Sequence, residues 1–305
     1  MSSTKELFND GYSQFFDERA NLYMFFICKC LFHLKNKGEL IFINPREFLK
    51  ATSSIKLNNL LFNFGTITDV IDMGDSKIFG DFTPNCIIWR FELGNFSRKT
   101  NYSTAKIKNN KLEVSKKEIR KFTNINGQLM FLKSDKTVLF KDLFYVKVGA
   151  VSGADSIYMH EKGNKEFVSS ETRKTNKIRK MFYNVNVPEL LPYKESLLNR
   201  RIKKFDENNW YMWGRGYHDT SEKRIYVNCK TRQNNPFFTH KCKNYDGSVL
   251  AIFPKNQSIN IDELASELNK VDWNELGFIC GDRFIFSQKS LENCVLPDSF
   301  AKLLK

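Results

Sequence analysis

Residues 20–92 carry an ordered alternation of helix-type and strand-type apolar patterns, which constrains the fold more than any other feature of the chain. Apolar side chains spaced i, i+3, i+4 from Tyr23 to Leu34 predict an amphipathic helix. The same spacing recurs from Leu57 to Phe64, after three hydroxyl residues that suit an N-cap. Three strands are predicted: Leu40–Ile43, Ile67–Asp72 and Cys86–Glu92. This order of elements predicts an α/β layer fold.

The apolar run Leu40–Ile43 is short and lies between Gly38, where the first helix is expected to end, and Pro45. It shows no alternation of polar and apolar side chains. We therefore predict a strand that is buried on both faces, as is typical of parallel sheets.

Composition limits the class of protein. The 305 residues, 41% of them hydrophobic and 28 of them phenylalanine, indicate a packed globular chain, with two domains expected from the length. No apolar run is long enough to span a membrane, and the polar N-terminus does not resemble a signal peptide, so we expect a cytoplasmic protein. The seven cysteines form no metal-ligand spacing and are expected to be free thiols. A zinc site from Cys229, His240 and Cys242 is the disfavoured alternative, and no metal is predicted.

The positive charge is confined to the middle of the chain. Residues 100–255 hold 31 Lys+Arg against 15 Asp+Glu, a net of +16. Residues 1–99 hold 12 against 11, and residues 256–305 hold 5 against 8. A localised basic excess predicts a surface that binds a polyanion, although a solvated basic face is the alternative.

Three segments carry a family resemblance: ANLYMFF (Ala20–Phe26), GELIFINPREFL (Gly38–Leu49) and GDSKIFGDFTPNCIIWRFE (Gly74–Glu92). They resemble the gamma-type N6-adenine DNA methyltransferases of restriction–modification systems. The resemblance implies that residues 1–97 form the C-terminal half of a class I methyltransferase sheet. It also implies S-adenosylmethionine as the methyl donor of the complete enzyme. Phe79 matches the aromatic residue on which the family stacks the flipped adenine, and a loop anchor packed on the sheet is the alternative.

Two hallmarks of that family are absent from this sequence. No GxG cofactor loop occurs in the first hundred residues, and Asn44-Pro45-Arg46-Glu47 has neither the second proline nor the aromatic residue of the catalytic tetrapeptide. We therefore expect no catalytic and no cofactor-binding residue in this chain, with the missing part preceding Met1. The strand Leu40–Ile43 would then have an unpaired apolar edge. This predicts either a separate N-terminal methyltransferase half as partner or a truncated, poorly soluble product.

Residues 98–305 are predicted to form a mixed α+β target-recognition domain. The lysine-rich stretch 96–122 suits a connector with an intermittent strand. Five short strands are predicted beyond it: Gln128–Phe131, Thr137–Phe140, Tyr145–Val148, Arg224–Cys229 and Ser248–Phe253. A short helix is predicted from Ile261 to Leu268, with Asn260 as its N-cap. The phrases FYVKVGAVSGADSIY, NRRIKKF, RIYVNCKTRQNNPFF and GSVLAIFP resemble this domain of the family.

The predicted contacts to double-stranded DNA fall into two basic runs and one polar cluster. The basic runs suit phosphate contacts, and a solvated face is the alternative for each run alone; they are Arg173, Lys174, Lys177, Arg179, Lys180, Arg200, Arg201, Lys203 and Lys204. The polar cluster suits base reading in the major groove; it is Lys230, Arg232, Gln233, Asn234 and Asn235. The glycines of VGAVSGAD (Val148–Asp155) suit either close approach of the backbone or a plain tight turn. For Trp210, Trp213 and Tyr217, core packing is favoured over a stacking surface.

These features predict part of a site-specific DNA adenine-N6 methyltransferase, in which this chain supplies DNA binding, target recognition and Phe79. A restriction endonuclease of the same system is a possible further partner. The alternative is a non-enzymatic DNA-binding specificity subunit or an inactive, truncated methyltransferase.

Overall fold

The fold is described from a computed structural model, in which residues 13–16, 20–74, 85–108, 111–134, 137–280 and 283–304 are described. The helices are α1 (Leu22–Phe32), α2 (Ile55–Phe64), α3 (Phe140–Leu143), α4 (Asp155–Tyr158), α5 (Thr172–Thr175), α6 (Lys194–Leu198), α7 (Ile261–Asn269) and α8 (Gln288–Glu292). Short 3-10 helices lie at Ser13–Phe15, Arg46–Leu49, Thr52–Ser54, Pro188–Tyr193 and Asp298–Leu304. Within these ranges no helix has the length and apolar character needed to cross a membrane.

The strands fall into one large sheet and several smaller ones. The first nine are β1 (Glu39–Pro45), β2 (Gly65–Asp72), β3 (Cys86–Leu93), β4 (Lys99–Lys108), β5 (Lys111–Val114), β6 (Glu118–Ile125), β7 (Gln128–Leu132), β8 (Thr137–Leu139) and β9 (Phe144–Val148). The others are β10 (Lys165–Phe167), β11 (Arg179–Met181), β12 (Ile225–Asn228), β13 (Lys230–Thr231), β14 (Phe237–Phe238), β15 (Val249–Pro254), β16 (Ile279–Cys280), β17 (Arg283–Ile285) and β18 (Val295–Pro297).

The large sheet has the strand order β1-β3-β2-β4-β6-β7, with β5 paired to β4. Strand β3 lies between β1 and β2 and runs antiparallel to both. Strands β1 and β2 are therefore parallel to each other, and their C-terminal ends lie at the same end of the sheet. Both helix predictions of this region are confirmed by α1 and α2, and the three predicted strands by β1, β2 and β3. The predicted mixed α/β character is likewise confirmed.

The prediction that Leu40–Ile43 is buried on both faces is wrong. In β1 the side chains of Leu40 and Asn44 are buried, whereas Ile41 is 69% and Ile43 45% exposed. The helices α1 and α2 and the large aromatic side chains Trp89 and Phe91 all pack on one face of the sheet. Because no layer of the described residues covers the opposite face at β1, Ile41 and Ile43 point outward.

The prediction of a connector over residues 96–122 is also wrong. This stretch forms β4, β5 and the start of β6, and β4 pairs in parallel with β2. Thr100, Tyr102 and Ser103 of β4 are buried, whereas Lys99 and Lys106 are exposed. The predicted boundary at residue 97 therefore does not coincide with the end of the large sheet, which continues to Leu132.

The second core lies under a four-stranded sheet with the order β14-β12-β15-β9. Its buried apolar residues come from β7 of the large sheet, from the four-stranded sheet and from the C-terminal region that includes α7 and α8. All five strand candidates beyond residue 123 coincide with observed strands, namely β7, β8, β9, β12 and β15. The N-cap of α7 is confirmed, because the Asn260 side chain accepts hydrogen bonds from the backbone N–H groups of Asp262 and Glu263.

Candidate DNA interface

One end of the four-stranded sheet collects most of the segments predicted to contact DNA. Strand β15 is antiparallel to β9 and β12, with Leu250 opposite Val148 and Val249 opposite Asn228. The segments that follow β9 and β12 and the segment that precedes β15 therefore leave the sheet at the same end. We name this region the loop end; it comprises residues 149–155, 169–179, 200–204, 215, 229–235 and 246–248.

The first basic run joins the loop end through side-chain and backbone hydrogen bonds. Asn228 donates to the carbonyl of Ser170 at 2.7 Å, and the Ser170 N–H donates to the hydroxyl of Ser248 at 2.8 Å. The Arg173 guanidinium donates to the carbonyl of Asn235 at 3.0 Å. This last contact brings the first basic run against the predicted base-reading cluster.

Asp246 links segments of the loop end through the contacts of its side chain. Its buried carboxylate accepts from the Ser248 N–H at 2.9 Å and pairs with Arg179 at 3.3 Å. Burial raises the pKa of Asp246 above its ordinary value, and the hydrogen bonds from Ser248 and the charge of Arg179 oppose this rise. Arg179 also pairs with Glu171 at 3.4 Å, so its guanidinium positions this loop.

The prediction that Arg200 contacts DNA is wrong. Its side chain is buried, and its guanidinium donates to the carbonyls of Leu197, Ser152, Trp210 and Met212 at 2.6–3.0 Å. Burial lowers the pKa of Arg200 below its ordinary value. The arginine ties its own loop to the segment after β9 and has no surface to offer a phosphate. Arg201, Lys203 and Lys204, which follow it, are exposed.

The base-reading candidates occupy the segment that leaves β12. Lys230 lies in β13, which pairs with β17, and the chain then turns through Arg232 and Asn234, which are exposed. The Gln233 N–H donates to the hydroxyl of Thr231 at 3.1 Å, which shapes the turn. Whether these side chains contact bases is not tested by the geometry and stays a prediction.

Both glycines of the segment after β9 are required by close packing. A Cβ on Gly149 would lie 2.0 Å from the carbonyl oxygen of Asp246, and Gly153 has a φ of +78° with Ile202 against it. Close backbone approach inside the protein therefore explains these glycines.

Arg215 is a loop-end residue that the sequence did not single out as a DNA contact. Its backbone forms an antiparallel bridge with Val151, with hydrogen bonds of 2.9 and 3.1 Å, and its guanidinium reaches the carbonyl of Gly149 at 3.3 Å. The side chain is exposed. Burial raises the pKa of Cys229, and the charges of Lys230 and Arg215 oppose this rise. Only the folded structure brings Arg215 beside the base-reading cluster.

The loop end is strongly cationic. Eight of its exposed side chains are basic: Lys174, Lys177, Arg201, Lys203, Lys204, Arg215, Lys230 and Arg232. Against these stand the exposed carboxylates of Asp155 and Glu171, and Glu171 is paired with Arg179. This density of unopposed positive charge at one end of a sheet suits a polyanionic ligand.

Three predicted residues lie elsewhere. Lys180 is paired opposite Glu166 in the β10–β11 ladder and lines an open pocket with Lys241 and Lys243, on the side of the strand opposite Arg179. Trp210 and Trp213 are buried in a core with Tyr158, which confirms the packing interpretation for both.

A second polar cluster lies where β1 and β2 end. Arg46, just after β1, forms a 2.7 Å ion pair with Asp72 at the end of β2, and the Tyr102 hydroxyl donates to the same carboxylate at 2.5 Å. The Arg120 guanidinium lies 3.8 Å from the centre of the Tyr102 ring. This cluster lies at the start of the segment that contains Phe79. Phe79 itself lies outside the described residues.

The cysteines show no metal-binding arrangement within the described ranges, where no group of three His, Cys, Asp or Glu side chains is placed to hold an ion. The Cys242 N–H donates to the Nδ1 atom of His240, and the Cys229 thiol donates to the carbonyl of Gly247. The six cysteines whose side chains the structure describes, namely Cys28, Cys30, Cys86, Cys229, Cys242 and Cys294, are free.

Comparison with known proteins gives matches in sequence and in fold. The family model of the Eco57I restriction-modification methylase matches residues 1–79. The type II methyltransferases M.HincII, from Haemophilus influenzae, and M.HindII, from Haemophilus influenzae strain KW20/Rd, are each 28% identical over 86 residues. The matched stretch covers 28% of this chain and 17% of each relative, so the chain spans only a part of their length.

The fold comparison extends over most of the chain. The type IIL restriction-modification enzyme MmeI, solved in complex with DNA, is similar with a TM-score of 0.59 and 11% identity. The similarity covers 90% of this chain and 41% of that chain. The chain is thus similar to restriction–modification methyltransferases in the sequence of its first part and to a restriction–modification enzyme in fold, which confirms the coarser part of the predicted resemblance.

Proposed function

We propose that this chain is the DNA-recognition part of a site-specific, S-adenosylmethionine-dependent DNA adenine-N6 methyltransferase of a restriction–modification system. In this proposal the loop end binds double-stranded DNA, with the exposed cations on phosphates and the polar cluster 230–235 on base edges. Phe79 stacks on the adenine that is turned out of the duplex. The methyl transfer itself is a direct displacement that depends on positioning and polarisation of the adenine amino group.

The convergence of the basic segments at the loop end carries this proposal. Segments that are up to 78 residues apart in the sequence are joined by the contacts Ser170–Ser248, Arg179–Asp246 and Arg173–Asn235. Buried contacts hold the backbone in place, while the cations themselves stay exposed. A rigid base with an exposed cationic surface fits DNA recognition, because phosphate contacts fix the register in which bases are read. The sequence similarity to type II methyltransferases and the fold similarity to MmeI support the same assignment.

The described residues do not fit a complete S-adenosylmethionine site. At the shared end of β1 and β2 the polar groups satisfy one another: Asp72 pairs with Arg46 and Tyr102 and accepts from the Gly74 N–H at 3.1 Å. The glycine-rich turn between a strand and a helix N-terminus, which suits such a ligand, is absent from these residues. We propose that a separate N-terminal methyltransferase half holds the cofactor.

The outer edge of β1 is the place where such a half would join. In the described ranges β1 is the terminal strand of the large sheet, paired with β3 alone. Its exposed Ile41 and Ile43 extend an apolar outer surface to that edge. An unpaired apolar edge is a template for strand addition, so a strand of the other half can continue the sheet there.

The first test combines DNA binding and methyl transfer with the purified chain. Filter binding of labelled duplex DNA at two salt concentrations reports affinity, and transfer of labelled methyl from S-adenosylmethionine reports chemistry. We expect salt-sensitive binding without methyl transfer, and methyl transfer once a protein carrying the cofactor loop and tetrapeptide is added.

Any of three other results would contradict part of the proposal. Methyl transfer by the chain alone would mean that the cofactor and catalytic residues lie within these 305 residues. Absence of DNA binding at low salt would mean that the loop end is a solvated basic face. Binding that no added methyltransferase half converts into activity would favour a non-enzymatic specificity subunit.

A further inference from the structure

A pocket of about 210 Å³ lies between the large sheet and the C-terminal region, away from the loop end. Its wall is formed on one side by the chain after β1 and by β7, and on the other by residues 275–278 and 285–290. Most of the wall is apolar and comes from Leu49, Leu129, Phe131, Leu276, Phe278 and Ile285. A pocket of this kind suits a small ligand with an apolar body.

Lys50 lines this pocket, and its ammonium group is enclosed in the pocket wall. Its Nζ atom is shielded from solvent, makes no hydrogen bond within the described residues, and lies 4.2 Å from the centre of the Phe278 ring. Gly277, with a φ of +80°, leaves room for the lysine stem, since a Cβ there would lie 2.9 Å from the Cε atom of Lys50. The backbone is thus shaped around an ammonium group that has a ring contact and, among the described residues, no anionic hydrogen-bond partner.

The other charged groups of the pocket do not supply the missing anion. Arg46 adds a second positive charge to the wall, and its own partner is Asp72 at 2.7 Å. Glu275 lies in the wall, where its carboxylate accepts from the backbone N–H of Lys133 at 2.9 Å, and Glu47 lies there as well. The buried Cys294 thiol is the remaining titratable group that acts on Lys50. Of these carboxylates, none accepts a hydrogen bond from Lys50.

We propose that this pocket binds a small carboxylate with an apolar body, of about the size of benzoate, and that the Lys50 side chain turns its ammonium group from the wall into the pocket to pair with that carboxylate. An enclosed ammonium without a partner is costly, and an anion that enters the pocket removes that cost. An apolar cavity of ~150 Å³ holds a benzene molecule, so the larger volume here admits a ring that carries one carboxylate. The apolar wall favours such a ligand over a hydrated inorganic anion, which would lose its water without gaining apolar contact.

The test uses benzoate with the full chain and follows the thermal unfolding midpoint at pH 7. Benzamide has the same shape without the charge, and sodium chloride and phosphate supply anions without the ring. The variant K50M keeps the length of the side chain and removes the ammonium, and K56M removes an exposed lysine of α2 as the matched control. We expect benzoate to raise the midpoint in a saturable manner in wild type and K56M, and benzamide to raise it less.

Loss of the benzoate response in K50M supports the assignment, whereas an equal response in K50M overturns it. No response of wild type to benzoate, or an equal response to chloride or phosphate, overturns it as well. A crystal soaked with 4-bromobenzoate gives a readout that does not depend on the variant. The anomalous signal of bromine should lie in the pocket, and a signal only elsewhere contradicts the proposal.

Discussion

At the scale of single residues, neighbouring arginines with the same sequence signature have different roles. Arg200 and Arg201 lie in one basic run, yet their side chains differ. The buried Arg200 guanidinium donates hydrogen bonds to four backbone carbonyls, whereas Arg201 is exposed. The Arg200→Ala change leaves buried carbonyls without donors, so we expect the free energy of unfolding to fall by about 3 kcal/mol. Urea unfolding measures this loss, and a fall below about 0.5 kcal/mol would show that the carbonyls find other partners.

The matched change Arg201→Ala should act on DNA and not on stability. Removing one exposed cation from the loop end takes away at most one phosphate contact, so we expect a several-fold weaker affinity with an unchanged unfolding midpoint. The slope of log affinity against log salt should become less steep by about 0.9. An unchanged affinity and slope would place Arg201 outside the DNA interface.

Phe79 is the residue on which the proposed chemistry depends most directly. The Phe79→Ala change removes the aromatic face on which the extrahelical adenine is proposed to stack. Such stacking contributes about 1–3 kcal/mol, so methyl transfer by the completed enzyme should fall by roughly 5- to 100-fold while DNA affinity stays within about twofold. The Phe79→Tyr control keeps the ring and should keep most of the activity. Normal turnover in the alanine variant would refute the stacking role.

Lys50 should leave a signature in the pH dependence of stability. Burial, with a smaller contribution from the charge of Arg46, lowers the pKa of Lys50 from 10.5 to about 8, and Cys294 acts in the opposite sense. Between about pH 8 and 10.5 the unfolded chain still holds the proton that the folded chain has released, so the free energy of unfolding rises with pH there. The full rise is about 3 kcal/mol.

Urea unfolding at pH 7, 8, 9 and 10 measures this rise. It should be present in wild type and in K56M and absent from K50M. The difference between the variants isolates Lys50 from the tyrosines that titrate at higher pH. Parallel pH curves for wild type and K50M would show that the Lys50 ammonium is solvated.

At the scale of elements, the sequence was most informative where one face of an element is buried and the other is plainly polar. Helix α7 was predicted from such a pattern and is observed. The sequence did not predict β4 as a full strand, because the strand is rich in lysine and its buried residues Thr100 and Tyr102 are not strongly apolar. The apolar sequence of β1 led to the wrong prediction of burial on both faces, because one face of this strand has no covering layer. The position of Arg215 at the loop end could not be predicted from the sequence, because a backbone bridge to Val151 brings it there.

The exposed edge of β1 is an element-scale feature with a measurable consequence. The Ile41→Lys change places a charge beside the unpaired edge, and charges there oppose strand addition. We expect it to reduce both self-association of the isolated chain and capture of an added methyltransferase half. Ile119→Lys is the matched control, because Ile119 is 73% exposed on β6, the strand next to the edge strand β7 and far from β1 in strand order. Light scattering and pull-down measure the two effects, and equal behaviour of both variants would argue against pairing at β1.

At the scale of the whole molecule, the position of the charge decides between a DNA interface and a merely basic protein. The net charge of +14 predicts salt-sensitive attraction to DNA wherever the cations lie, so binding alone does not locate the interface. Two variants with the same change in net charge separate the cases. One replaces four loop-end lysines by alanine, namely Lys174, Lys177, Lys203 and Lys204. The other replaces four exposed lysines elsewhere, namely Lys106, Lys111, Lys116 and Lys141.

If the loop end contacts phosphates, the first variant loses up to four of them and its salt slope should become less steep by about 3 to 4. The second variant should keep the wild-type slope and lose affinity only slightly, because its lysines act on DNA from a distance and are screened beyond ~10 Å at 0.1 M salt. Fluorescence anisotropy with a labelled duplex at five salt concentrations gives both slopes. Equal slopes for the two variants would mean that DNA is attracted by the total charge of the molecule, and the convergence of basic segments at the loop end would then have a structural origin alone.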